Sequence, residues 1–327
     1  MQILYLIGNG FDINLKMKTR YTEFYEHYQD IKTESTTIKN LKENIKKEVY
    51  TWSDLELRLG EYMSEIKTYE EFEEIYDDLL EKFGDYLQDV EDKVNWKTTN
   101  INKLKMHLSN PEKSLMQKEI NKLTAFKETF SKVNWRVDIV TFNYTRSIER
   151  LLNEEFTSLN LGTHHSNYNI TLRNIWHIHG DLNNMVLGVN DTSQLKNKDF
   201  LKNRKILNAF IKQYNNSRQG HTVDEILDTK ISSANLICVF GSSIGKTDKL
   251  WWEKIGQHLL SNENCILIIF TSTNIKPQRA IHKKGDYEDE LRETFLSRTN
   301  LNDTEKEKIN DRIYVRANTD MFSSLLK

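Results

Sequence analysis

MQILYLIGNGFDINL, residues 1–15, decides the fold. Ile3, Leu4, Tyr5, Leu6 and Ile7 form a near-continuous apolar run. That is the pattern of a strand buried on both faces of a parallel sheet. Gly8, Asn9 and Gly10 then turn the chain, and Asp12 follows at once. The turn has two readings: a tight connection, or a loop whose glycines let ligand phosphates approach the backbone. Asp12 is an odd neighbour for a phosphate, because like charges repel at short range.

Five more runs share the pattern: VDIVTFN (137–143), RNIWHIHG (173–180), ANLICVFG (234–241), NCILIIFT (264–271) and DRIYVRA (311–317). Helical patterns separate them, so the chain reads as α/β, a doubly wound, mostly parallel, Rossmann-like sheet. In such folds functional groups gather past the carboxyl ends of the strands. Between the first two strands, Phe72, Tyr76, Leu79, Phe83, Tyr86 and Val90 recur at spacings of four and three, one face of a long amphipathic helix. Leu55, Leu59, Tyr62 and Ile66 repeat the pattern. Residues 32–133 therefore read as a large helical insertion after the first strand, leaving 1–31 and 134–327 as the nucleotide-binding core.

The 327 residues carry a formal net charge of -2, which gives no global pull toward nucleic acid or membrane. Charge is unevenly placed. Residues 53–94 hold 15 acidic and 4 basic side chains, whereas 196–218 hold 7 basic ones and Asp199 alone. The basic stretch, with Phe200, Phe210 and Tyr214 interleaved, reads as a solvated helix face or as a track for a nucleic-acid backbone. Two cysteines, Cys238 and Cys265, sit inside apolar runs and exclude a four-cysteine zinc module. No structural zinc is expected. Without a basic leader segment or a membrane-length apolar run, a cytoplasmic protein with no membrane partner is expected.

Four motifs end strands. Gly8-Asn9-Gly10 is the first. Thr141-Phe142-Asn143-Tyr144-Thr145 is the second, with Asn143 a turn residue or a polar group in the site, and Thr145 a candidate helix cap. In His177-Ile178-His179-Gly180, alternation puts both histidines on one face. His179, at the strand end, is the better candidate for chemistry, because imidazole titrates near neutral pH. No third ligand at fixed spacing makes the pair a metal site. Gly241-Ser242-Ser243-Ile244-Gly245 fits a nucleophile elbow, but the next helix starts several residues later, near Asp248. Asp248 itself reads as that helix's N-cap. A fifth motif, Trp52-Ser53-Asp54-Leu55-Glu56, fits a capping box through Ser53 and Glu56.

In that order, IGNGFD, WSDLE, TFNYT, HIHG and GSSIGKTD resemble the AbiH family of phage abortive-infection proteins, over about residues 1–260. That family is in turn similar to the sirtuin-like domains of other phage-defence proteins. The resemblance implies a nucleotide ligand, NAD as substrate. Gly8, Asn9 and Gly10 would approach the pyrophosphate, and Asn143, beside Thr141, would hold ribose or water. His179 would be the base, with Gly241, Ser242, Ser243 and Asp248 flanking the rest of the dinucleotide. Asp12 or Glu56 would supply negative charge to a cationic ribosyl group. It also implies an effector answering a phage or host trigger, and is compatible with a homo-oligomer. The alternatives are a metal-dependent nuclease, with Asp12, Glu56 and Asp248 holding Mg²⁺, and a nucleotide sensor without chemistry.

Overall fold

The computed structural model describes residues 1–326 except 154–157, 166 and 274–280. Among them is a mixed α/β architecture built on one seven-stranded sheet. Its strands are β1 (Gln2–Ile7), β2 (Trp135–Thr141), β3 (Leu159–His164), β4 (Tyr168–His177), β5 (Leu236–Phe240), β6 (Ile266–Thr271) and β7 (Ile313–Ala317). Their order is β3-β4-β2-β1-β5-β6-β7. All neighbours pair parallel except β3, which runs antiparallel to β4 on the edge. The chain builds outward from β1 to one side and then, starting again at β5, to the other. The order reverses between β1 and β5, whose carboxyl ends face one crevice.

The apolar runs alternate between two cores, as a two-residue side-chain period requires. Ile3, Tyr5 and Ile7 join Val137, Ile139, Cys238 and Ile268 on one face, against Leu104 and Leu108 of α6 (Ile101–Ser109), Leu123 of α7 (Gln117–Glu128) and Phe322. Leu4, Leu6, Val239 and Ile269 face the other way, onto α11 (Val223–Ser233), α12 (Lys249–Ser261), α13 (Ile281–Arg298) and α14 (Asp303–Asn310). Helices thus cover both faces, as a sheet of continuous apolar strands demands.

The helical stretch after β1 divides by packing. It starts with the short α1 (Gly10–Asn14), then α2 (Tyr21–Asp30), α3 (Thr36–Lys47), α4 (Leu55–Tyr62) and α5 (Tyr69–Asp92). Helices α2 to α5 form a separate core with Tyr144, Leu187, Val189, Phe200 and Phe210. Helices α6 and α7 instead join the sheet's own core. The expected boundary at residue 32 leaves α2 with the sheet, yet Phe24, Tyr25 and Tyr28 of α2 pack in this separate core. α8 (Ser147–Leu151) follows β2, and α9 (Arg204–Phe210) and α10 (Lys212–Arg218) close the second core. Strand β3 escaped the sequence reading because LNLGTH is a polar edge strand with no apolar run. Among the described residues, no helix is long and apolar enough to cross a membrane.

Candidate functional site

A cleft of about 900 Å³ opens where the strand order reverses. It is lined by Gly8, Asn9 and Gly10 after β1, Asn143 and Tyr144 after β2, His179 after β4, Gly241, Ser242, Ser243 and Asp248 after β5, and Glu56 from α4. Ten of the twelve candidate site residues read from the sequence thus share one cleft, and Tyr144 joins them. Thr141 and Asp12 do not line it. Thr141 Oγ1 lies under the turn, donating to the Ile7 carbonyl at 3.1 Å and accepting from Asn143 N at 3.1 Å.

The glycines answer a packing need. A Cβ on Gly10 would stand 2.4 Å from Gly241 Cα, and one on Gly241, at φ +69°, would stand 2.6 Å from Gly10 Cα. Gly8 N donates to the Phe240 carbonyl at 2.9 Å and Gly10 N to the Gly241 carbonyl at 2.8 Å. The side chain of Asn9 is bound to Thr19. The two turns therefore pack backbone to backbone, and the Gly8 and Gly10 amides already have carbonyl partners.

Asp12 is 1% exposed, beneath this turn. Its carboxylate accepts from Thr145 Oγ1 at 2.5 Å and from Ser147 Oγ at 2.6 Å. Thr145 is thus a ligand of Asp12 and not a helix cap, and Asp12 ties the β1 turn to the start of α8. Burial pushes its carboxyl up to about 6, against the hydrogen bonds of Ser147 and Thr145, which pull it down. Unfolded, the same group titrates near 3.9. Folding therefore favours its protonated form, and its contribution to stability, complete below about pH 4, is lost as pH rises to about 6. Urea unfolding of wild type and Asp12→Asn should show the difference in stability shifting toward the variant, by on the order of 2–3 kcal/mol, between pH 4 and pH 7. A difference independent of pH would contradict the shifted carboxyl.

Asn143 is nine-tenths buried; its Nδ2 is closed off from solvent and has no hydrogen-bond partner of normal geometry, although it lies close enough to favour the Asp12 carboxylate. A buried amide left unpaired costs about 1–3 kcal/mol. His177 holds the Asn143 turn: its Nδ1 is 2.9 Å from the Asn143 carbonyl and its Nε2 is 2.8 Å from Glu149 Oε1. Burial would lower this imidazole, but the hydrogen bond and charge of Glu149 outweigh it and hold it above its ordinary value. The two histidines of H-x-H thus separate: His177 packs under the turn and His179 enters the cleft.

The capping box does not form. Asp54, not Ser53, caps α4 by accepting from Leu57 N at 3.0 Å, which frees Glu56 to face inward. Glu56 Oε1 accepts from Tyr144 at 2.7 Å and Oε2 from Lys212 Nζ at 2.7 Å. The Lys212 ammonium lies 3.0 Å from His179 Nε2, and His179 Nε2 lies 3.5 Å from Asp248 Oδ1. Phe142 and Tyr144 flank the imidazole, with ring centres 5.6 and 6.3 Å away. A chain of polar groups thus runs Tyr144, Glu56, Lys212, His179, Asp248. Asp12 stands outside it.

Asp248 makes no side-chain cap to α12. Its carboxylate turns instead to His179 and to Asn190, whose Nδ2 lies 3.4 Å from Oδ1 and also binds the Thr247 carbonyl. Burial raises the Asp248 carboxyl, but the hydrogen bond of His179 and the charge of Lys212 prevail and hold it below the usual carboxylate range. It is therefore ionised at neutral pH.

Sequence reasoning missed Lys212, Asp54, Asn190 and Arg20, the last a half-exposed cation at the cleft mouth. Lys212 hid among seven basic residues of 196–218. Its signal was the apolar pair Phe210-Ile211 beside it, both buried. The aromatic interleaving read as a nucleic-acid track dissolves: Phe200 and Phe210 are core, and only Tyr214 is exposed. Among the described residues, no group of three or more His, Cys, Asp and Glu is arranged to hold a metal.

A family model described as Bacteriophage abortive infection AbiH matches residues 4–270, from β1 to the end of β6. No curated protein matches the chain.

Proposed function

The chain belongs to the AbiH family of bacteriophage abortive infection proteins, and from that premise we propose that it is a defence effector hydrolysing NAD or a related dinucleotide in this cleft. The observation that carries the reading is the Asp248 carboxylate in the wall of a cleft of about 900 Å³, 3.5 Å from His179 Nε2 and 3.4 Å from Asn190 Nδ2. Nicotinamide leaves a ribosyl carbon as a cation develops on that carbon. A fixed carboxylate in a partly dry cleft stabilises such a charge without reorganising during the reaction. The sheet supports the same reading. Its parallel strands, numbered along the chain, stand in the order 3-2-1-4-5-6 of doubly wound dinucleotide-binding sheets, whose ligands lie at the reversal.

In this account Asp248 takes the role first given to His179. Its Oδ1 faces His179 and Asn190, while Oδ2, with no hydrogen bond among the described residues, faces the ribosyl carbon and then the attacking water. Asn143, in the cleft wall, orients ribose. With the Gly8 and Gly10 amides occupied, the pyrophosphate lies toward Ser242 and Ser243, with Arg20 at the mouth.

Purified protein is offered NAD⁺ and, separately, single-stranded RNA, and the products are separated. Nicotinamide appearing from NAD⁺ with intact RNA is the expected result. RNA cleavage with no nicotinamide would replace this reading by a nuclease.

A further inference from the structure

The corner between α9 and α10 faces two ways. Ile206, Phe210 and Ile211 are buried in the second core, which fixes the corner and leaves its other side to solvent. On that side Arg204, Lys205 and Arg218 line a groove of about 750 Å³, with Asn208, Tyr214 and Ser217 between them. No carboxylate lines it. None of the three cations pairs with a carboxylate among the described residues. Lys205 lies instead over the Tyr69 ring, 4.9 Å from its centre, at the start of the acidic α5, which bounds the groove there. Tyr214 is 46% exposed.

The chain as a whole is slightly acidic, at -2. At physiological salt, however, exposed charges more than about 8 Å apart are largely screened. A ligand in the groove therefore meets its three cations and not the average of the chain. A polyanion fits that charge. The exposed ring narrows the class, because an unpaired base stacks on a tyrosine face, whereas a base inside a duplex is already stacked and paired.

We propose that the groove between α9 and α10 binds a single-stranded nucleic acid, with Arg204, Lys205 and Arg218 meeting phosphates and Tyr214 stacking on a base. The groove shares no lining residue with the cleft at the strand reversal, so a strand held here is bound and not cut, and the site stands whether or not the cleft hydrolyses a dinucleotide. One element touches both: α10 carries Lys212, its first residue, to Glu56 in the cleft wall, and Tyr214 and Arg218 to the groove.

The test is fluorescence anisotropy with a dye-labelled oligouridylate of about 12 nucleotides, an oligothymidylate of the same length and a duplex. Wild type is expected to bind the single strands, with log affinity falling against log salt at a slope of about −2, the value for about three phosphates neutralised on a single strand. Tyr214→Ala is expected to weaken binding about tenfold and leave that slope unchanged. Arg204→Gln with Arg218→Gln is expected to cut the slope to about −0.7, because one cation remains. All three positions are exposed, so both variants should fold. A preference for the uridylate or for the thymidylate supports the proposal and names the source of the strand. No binding of either strand at about 50 mM salt overturns it, as does binding unchanged in both variants. So does a duplex that binds as tightly as the single strands and is indifferent to Tyr214→Ala. Polyglutamate that binds as tightly as the oligonucleotides would replace the strand by an acidic protein partner.

Discussion

Asp248→Asn is expected to lower nicotinamide release by about 10²–10³-fold in kcat, the usual loss when one preorganised electrostatic group is removed. The substitution keeps the shape of the side chain and an Oδ1 that still accepts from Asn190 and His179. It removes only the negative charge that the cationic ribosyl group would face. The fold should tolerate it, at no more than about 1–2 kcal/mol, because no hydrogen-bond acceptor to the protein is lost. Turnover and thermal melts of both proteins check the two halves. A folded Asp248→Asn protein with wild-type turnover would remove Asp248 from the chemistry and return the base to His179.

Gly10→Ala should fail through the fold. Its Cβ would lie 2.4 Å from Gly241 Cα and 3.0 Å from the Gly241 carbonyl oxygen, both backbone atoms that no rotamer change can move. Overpacking in a core costs about 1–3 kcal/mol and occasionally more. Here the displaced partner also accepts the Gly10 N–H hydrogen bond, so a loss of at least about 3 kcal/mol is expected. For a chain of 327 residues, whose unfolding entropy is about 0.7 kcal/mol/K, that lowers the melting temperature by roughly 4 °C or more. An alanine variant that melts with wild type would mean that the two turns do not pack as described, and the glycines would again be free to serve a ligand.

These two results concern the groups on which sequence and structure part company. The apolar runs were legible because strands buried on both faces leave no polar alternation to confuse with loop, so six of the seven strands of the sheet could be read. The convergence of the strand-end motifs followed from parallel topology alone. The individual roles were less legible. Gly8 and Gly10 look the same in sequence whether they admit a phosphate or another loop, and only the position of Gly241 distinguishes the two. S-x-x-E invited a capping box, but Asp54 competes for the cap, and its winning turns Glu56 inward. Lys212 could not be told from its basic neighbours, because its burial depends on Glu56, 156 residues earlier in the chain. Local motifs report local geometry; charge pairs across the fold do not show in them.

If the proposed reaction is right, the cleft at the strand reversal presents Asp248 to a ribosyl carbon. Crystals of Asp248→Asn soaked with NAD⁺ test it most directly, since the variant should bind the dinucleotide without consuming it. Unbroken NAD⁺ is expected to span the cleft, its nicotinamide ribose between Asn143 and residue 248 and the anomeric carbon within roughly 4 Å of the position-248 side chain. NAD⁺ lying with that ribose away from position 248, or binding outside the cleft, would contradict it.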